Sequence, residues 1–178
     1  RKLGTEDQIA TRINNIGAVY MSWGKYDKAM ENYKLVLILS KKLGKKNEIA
    51  TSLNNIGLIY RLWGQYDKAA ENYQQALTVF RKLGREGEIA LLLNNIGMVY
   101  NSWGQYDKAI ENYQQGLSIA RKLETEDQIA LILNNIGGLY DSWGQYDKAI
   151  ENYQQALAIA RKLGTEDQIA TRINNIGA

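Results

Sequence analysis

The chain has 178 residues, 45% hydrophobic and 23% charged, the composition of an ordinary soluble protein with enough length for one substantial core. It has no histidine and no cysteine, which excludes disulfides, the usual zinc ligands and the commonest general base; its 22 basic and 19 acidic residues are well mixed, so the net charge of +3 forms no patch for nucleic acid or anionic lipid. No apolar run approaches the ~18 residues that cross a bilayer, and "RKLGTEDQIA" at the N-terminus lacks the features of a signal peptide, so the default expectation is a cytoplasmic protein without cofactor.

The chain opens on "RKLGTEDQIATRINNIGA", and the same string returns at 161–178. Between them runs a 40-residue period: "GKYDKAMENYKL" at 24–35, "GQYDKAAENYQQ" at 64–75, and "GQYDKAIENYQQ" unchanged at 104–115 and 144–155. Each unit holds two helical stripes. In the first, over 48–63, Ile49, Leu53, Ile56, Tyr60 and Trp63 recur at helical spacing; in the second, over 66–83, Tyr66, Ala69, Ala70, Tyr73, Ala76, Leu77, Phe80 and Leu83 do the same. The spacing excludes strands, and the absence of proline suits an all-α chain. We expect one solenoid over 1–178, with repeats 10–49, 50–89, 90–129 and 130–169 and partial units 1–9 and 170–178.

Punctuation follows the same period. Gly4, Gly24, Gly44, Gly64, Gly84, Gly104, Gly144 and Gly164 stand where a helix ends in the left-handed conformation, and Glu124 is the one departure. "TEDQ" at 5, 125 and 165 predicts a capping box, which "KKNE" at 45 and "REGE" at 85 lack. Gly57, Ala69 and Ala76 are the small residues expected at close helix crossings, with Tyr60 and Tyr73 filling the space beside them. Gly116 and Val36, which replace the alanine at 76, are expected to be weak points.

With Leu53, Ile56, Gly57, Tyr60, Gly64, Tyr66, Ala69, Tyr73 and Ala76 and their 40-residue equivalents, each unit resembles a tetratricopeptide repeat. The pattern departs at Arg81, where the family usually has proline, and in a second helix about six residues longer. Forty-residue variants of this kind are similar to the Pins-type spindle-orientation scaffolds, kinesin light chains and bacterial peptide-sensing regulators. The resemblance implies a right-handed superhelical solenoid of antiparallel helix pairs, its first helices lining a concave face that binds peptides or proteins.

The pairs Asn14/Asn15, Asn54/Asn55, Asn94/Asn95 and Asn134/Asn135 need a reason, because asparagine is ~0.5 kcal/mol poorer than alanine in a helix. At 100° per residue, with Thr51 at zero, the apolar stripe falls between roughly 120° and 200°; Thr51, Asn54, Asn55, Leu58, Arg61 and Leu62 fall between roughly −80° and +40°. The asparagines therefore face away from their own pair, toward the groove. There they persist while neighbours vary: Thr11, Thr51, Leu91 and Leu131; Ala18, Leu58, Met98 and Gly138; Met21, Arg61, Asn101 and Asp141.

The expected site for an extended peptide is thus the asparagine ladder, with Leu58 and Met98 as apolar contacts and Arg61, Asn101 and Asp141 as polar ones. The competing reading is that one asparagine of each pair bonds the adjacent repeat's backbone. A carboxylate clamp for chaperone tails needs more cations than Arg61 and Arg12 supply. Trp23, Trp63, Trp103 and Trp143 lie in phase with the stripe and read as packing rather than as platforms for sugars or bases. Asp107 and Glu111 sit beside Lys108 on the outer face and read as charged surface, so an enzyme is not expected. The alternative to a peptide-binding scaffold is a structural array or filament: cut in mid-helix at both ends and without polar caps, the chain is suited to head-to-tail stacking.

Overall fold

A computed structural model describes residues 2–164, which form eight helices and, among the described residues, no strand. They are α1 Lys2–Ser22, α2 Tyr26–Leu43, α3 Lys46–Leu62, α4 Tyr66–Leu83, α5 Glu86–Ser102, α6 Tyr106–Lys122, α7 Glu126–Ser142 and α8 Tyr146–Leu163. The partial unit 170–178, the third "TEDQ" at 165 and most of the repeated terminal string lie outside the described residues. None of these helices is long and apolar enough to cross a membrane.

Glycine ends the helices as its spacing predicts. Gly24, Gly44, Gly64, Gly84, Gly104, Gly144 and Gly164 all have φ between 66° and 73°. After Gly44 the chain turns back, with the Lys45 N–H donating to Ser40 O at 2.9 Å. Two expectations fail. Gly4 lies within α1 and does not stop it. Thr125 makes no capping bond; its hydroxyl instead donates to Ala120 O at 3.2 Å, the same carbonyl that accepts its own N–H at 3.0 Å. The tight glycine-type turn thus captures the threonine before it can cap. Consistently, α3, α5 and α7 start at equivalent positions 46, 86 and 126 whether or not the box is present. Glu124 takes the left-handed conformation despite its side chain, with φ 55°.

The helices divide into two compact units, α1–α4 and α5–α8. Within each unit, consecutive helices pair, α1 with α2 and α3 with α4, then α5 with α6 and α7 with α8. The crossing inside each pair is set by glycine against tyrosine. A Cβ on Gly57 would lie 2.9 Å from the Tyr73 ring, and one on Gly97 would lie 2.6 Å from the Tyr113 ring. Gly17 with Tyr33 and Gly137 with Tyr153 repeat the arrangement at 2.9 and 2.8 Å.

First helices bury a wider surface than the stripe alone. In the first unit Ile56 and Ile59 of α3 pack on Ala29, Met30 and Tyr33 of α2, the preceding second helix. In the second unit Ile132, Leu133, Ile136 and Leu139 of α7 pack on Ala109, Tyr113, Leu117 and Ala120 of α6. Ile59, Val99 and Leu139, all absent from the stripe, are fully buried. A first helix serves two neighbours, so its apolar surface is wider than one amphipathic face.

The size change at 116 is matched across its stack, which corrects its reading as a weak point. A Cβ on Gly116 would lie 2.9 Å from the Ala90 carbonyl oxygen and 3.5 Å from Ile132 Cδ1, so the glycine admits both the α5 backbone and a large side chain from α7. In the first unit Val36 and Ser52 line one cleft; the helix that carries the larger residue at 36 meets a small one at 52. At Gly116 the volume lost on α6 is returned by Ile132 of α7, whereas beside Val36 a cleft remains.

Two substitutions test these backbone constraints, with opposite signs. Glu124→Gly relieves a left-handed strain of about 1 kcal/mol and is expected to raise the melting temperature by roughly 2–4 °C. Gly116→Ala gains about 1 kcal/mol of helix propensity. It loses about 1–3 kcal/mol to overpacking against Ala90, so melting is expected to fall. Thermal unfolding followed by circular dichroism reads both; a rise for Gly116→Ala contradicts the close approach.

Candidate functional site

The second helices present the outer side of each pair, and their uniform sequence goes into packing and local hydrogen bonds. Asn72, Asn112 and Asn152 each donate to the carbonyl four residues back, at 2.8 Å. Lys68, Lys108 and Lys148 lie 5.3–5.6 Å from the ring centroids of Tyr60, Tyr100 and Tyr140. The tryptophans extend the same clusters. Trp23, Trp103 and Trp143 stack on Tyr20, Tyr100 and Tyr140 at 6.2–6.4 Å, and Trp63 meets Tyr60 edge-on at 5.9 Å. Trp143 also receives Tyr106 of the preceding pair at 5.5 Å. Glu111 is exposed and accepts from Gln115 Nε2 at 3.3 Å, within a charged outer surface.

Variation is concentrated on the free face of the first helices, where the predicted site residues lie. In the first unit Asn14, Asn54, Asn55, Leu58 and Arg61 are half-buried and Asn15 is exposed. Asn54 Nδ2 donates to Asn55 Oδ1 at 3.3 Å. In the second unit Asn95, Met98, Asn101, Asn134 and Asn135 are half-buried and Asp141 is exposed, while Leu91 and Leu131 keep 37% and 41% of their surface.

Asn94 corrects the uniform ladder. It is 2% exposed, accepts a hydrogen bond from Asn135 Nδ2 at 2.8 Å, and turns its own Nδ2 to Met98 Sδ at 3.8 Å. Here the second asparagine of one repeat bonds the first asparagine of the repeat before it, side chain to side chain. The inter-repeat reading therefore holds at this step, with a side-chain partner where a backbone partner was expected. Helical phase places Asn94 correctly on the first-helix face but does not reveal that the next helix covers it.

Two groups on this face escape the sequence reading. The first is the tyrosine hydroxyls of the second helices. Tyr73 is fully buried; burial pushes its phenol up to about 12, with the Arg61 guanidinium pulling the other way, and its hydroxyl has no partner in normal hydrogen-bond geometry. Burial also raises the Tyr153 phenol, and the Asp141 carboxylate raises it further. A tyrosine in each unit thus reaches through to the variable last-turn position of its first helix, and the signal is the constant spacing of 12 residues from Arg61 to Tyr73 and from Asp141 to Tyr153.

The second group is a cleft of about 240 Å³ between α1 and α3, lined by Asp7, Thr11, Asn14, Glu48, Thr51 and Ser52 among others. The second unit has a larger recess, about 480 Å³, on the second-helix side between α6 and α8; Ile110, Leu133, Tyr140 and Glu151 are among its lining, and none of the predicted site residues is. No group of three or more metal-ligating side chains gathers among the described residues.

Asn94→Ala removes the acceptor of the Asn135 amide and is expected to cost about 1–3 kcal/mol, read as a lower melting temperature. Asn14→Ala, on the half-buried face of α1, is expected to change stability by no more than about 0.5 kcal/mol. Equal effects at the two positions contradict the distinction between a closed and an open asparagine.

Comparison with known proteins agrees with this architecture. The tetratricopeptide repeat profile matches residues 8–82 and 88–162. Among solved structures, BtubC (BKLC) from P. vanneervenii is 25% identical, with a TM-score of 0.81 over 98% of this chain and 77% of that one. Aspartyl phosphate phosphatase F from Bacillus subtilis is 17% identical, with a TM-score of 0.86 over 93% of this chain but 43% of that one. A kinesin light chain-type protein of Podosopora anserina, described as having nearly identical TPR-like repeats, is 19% identical, with a TM-score of 0.70 over 94% and 86% of the two chains. The last two likenesses concern the fold. The chain spans less than half the length of the phosphatase. No curated protein sequence matches it. With the profile covering most of its length and every described helix paired as that profile requires, the chain belongs to the tetratricopeptide repeat family.

Proposed function

We propose that this chain is a non-catalytic protein-binding scaffold that holds an extended peptide or partner segment along its first-helix face. The observation that carries the reading is the division of labour between the two faces. The first half of every second helix keeps Tyr-Asp-Lys-Ala-x-Glu-Asn-Tyr in all four copies, whereas the open face of the first helices changes at Leu58, Met98 and Gly138 and at Arg61, Asn101 and Asp141 around persistent asparagines. Half-buried amides such as Asn14, Asn54 and Asn134 suit the N–H and C=O of a peptide main chain, and the changing neighbours suit its side chains. A Rap protein of the same fold, 21% identical and matched over 46% of its length, has been solved complexed with Competence and Sporulation Factor. A protein that contains this fold and forms such a complex is a precedent for the reading.

The test is an array of extended peptides presented to the full chain, with Arg61→Ala and Met98→Ala as controls. The reading expects at least one peptide whose affinity falls about tenfold in either variant while the melting temperature is unchanged. Peptides that bind both variants as tightly as the parent chain place recognition elsewhere.

One observation also favours head-to-tail association of copies. On α1, Ile16 and Val19 are 48% and 64% exposed, although their equivalents Ile56 and Ile59, Ile136 and Leu139 are at most 3% exposed beneath a preceding second helix. On α8, Tyr146 is 65% exposed where its equivalent Tyr106 packs on Trp143. A second copy fits these two surfaces by the same contacts that join adjacent repeats within each unit, and the contact is heterologous, so it extends without closing. Sedimentation velocity is expected to show mass rising with concentration, and Val19→Lys is expected to abolish the rise. A chain that stays monomeric throughout contradicts this second reading.

A further inference from the structure

The cleft between α1 and α3 is rich in hydrogen-bond acceptors, and its side-chain donors are the Asn14 and Asn47 amides and the Ser52 hydroxyl. The Thr11 hydroxyl proton is committed to Asp7 O and the Thr51 proton to Asn47 O, each at 3.1 Å, so both oxygens meet the cleft as acceptors. Asp7 and Glu48 add two carboxylates. Only Asp7 has a cation, with Lys45 Nζ at 3.1 Å from Oδ2, and Lys45 does not itself line the space. Ser52, also in the lining, is 1% exposed and its hydroxyl has no partner. A serine sealed into a helix interface without a hydrogen bond is costly unless something completes the site.

The rest of the chain shows that this polarity is not a requirement of the fold. Thr11 and Thr51 have Leu91 and Leu131 as their equivalents in the second unit. Ser52 has Leu92 and Ile132, which are 2% and 0% exposed. Three adjacent positions that are closed with aliphatic side chains in one unit are thus opened and made acceptor-bearing in the other. Ala10 and Val36 leave the floor apolar.

We propose that this cleft is a site for a primary ammonium group, carried by a lysine side chain or by the free amino terminus of a bound peptide. An ammonium has three donors and no acceptor, the complement of the Thr11, Thr51 and Glu48 oxygens, and the Ala10 and Val36 floor receives the carbons that carry it. A carboxylate or phosphate is disfavoured here, because it meets the Glu48 carboxylate and two threonine oxygens whose protons are already committed. The proposal deepens the peptide-binding reading by naming one end or side chain of the ligand.

The experiment uses small probes on the full, isotopically labelled chain, so that it does not depend on finding a peptide. Amide resonances are followed during titration with Nα-acetyl-lysine methylamide, alanine methylamide and the uncharged control Nα-acetyl-norleucine methylamide. Saturable shifts at Thr11, Thr51 and Ser52, at about millimolar concentration, are expected with one or both ammonium probes and not with norleucine. The tighter of the two assigns the source: lysine derivative for a side chain, alanine methylamide for a terminus. Ser52→Leu, which copies Leu92, is expected to abolish the shifts, and Glu48→Gln, which keeps shape, to weaken binding about tenfold. The proposal is overturned by equal shifts with norleucine, by no saturable shift with any probe, or by undiminished binding in Glu48→Gln. Probes that bind while no peptide does remove only the peptide reading; peptides that bind through Arg61 and Met98 while probes do not remove only this one.

Discussion

A tyrosine ring pressed against a glycine backbone fixes how the two helices of each pair meet. At 2.6–2.9 Å from the ring, the missing Cβ of Gly17, Gly57, Gly97 and Gly137 is the space the tyrosine occupies. Each of these glycines sits inside a helix, where it sacrifices about 1 kcal/mol of propensity relative to alanine. That cost is offset by burying Tyr33, Tyr73, Tyr113 and Tyr153 almost completely, each aromatic ring removing on the order of 150–250 Å² of surface from water. The same contact carries the tyrosine hydroxyl through to the first-helix face, near Arg61 in one unit and Asp141 in the other. One packing device therefore both closes the pair and puts polar atoms beneath the variable face.

Because the glycine, the tyrosine and the second-helix alanines take up the packing, the outward positions of the first helices are released from structural duty. Ala18, Leu58, Met98 and Gly138 occupy one such position with four different volumes, and the helices around them all end at equivalent positions, 22, 62, 102 and 142. Asn94 shows the limit of that freedom: once Asn135 bonds it, the residue belongs to the stack. Stacking positions vary too, with compensation across the stack where Gly116 meets Ile132.

Most of the fold was legible in the sequence because its signals are local. Helix existence follows from spacing, and seven of the eight predicted glycine stops lie at positive φ. Gly4 fails because nothing in a glycine compels a helix to end, and the capping box at Thr125 fails because the preceding turn offers its hydroxyl a nearer acceptor at Ala120. Ile59 and Leu139 were invisible to a single amphipathic stripe, since they pack on the preceding second helix. The candidate site divides in the same way. Rotation about one helix axis places its residues on the correct face, but the closure of Asn94 and the acceptor-lined cleft join residues about 40 apart, such as Thr11 with Thr51, and only packing reveals them.

The most direct test of the glycine–tyrosine constraint is the thermal stability of Gly97→Ala, measured alone and together with Tyr113→Leu. Helix propensity by itself favours the alanine by about 1 kcal/mol. The tight contact predicts instead a loss of about 1–3 kcal/mol from overpacking, and a smaller effect of the alanine once the ring is gone. An alanine that stabilises the parent chain, or that acts identically with and without the ring, would show that the pair is held by something else.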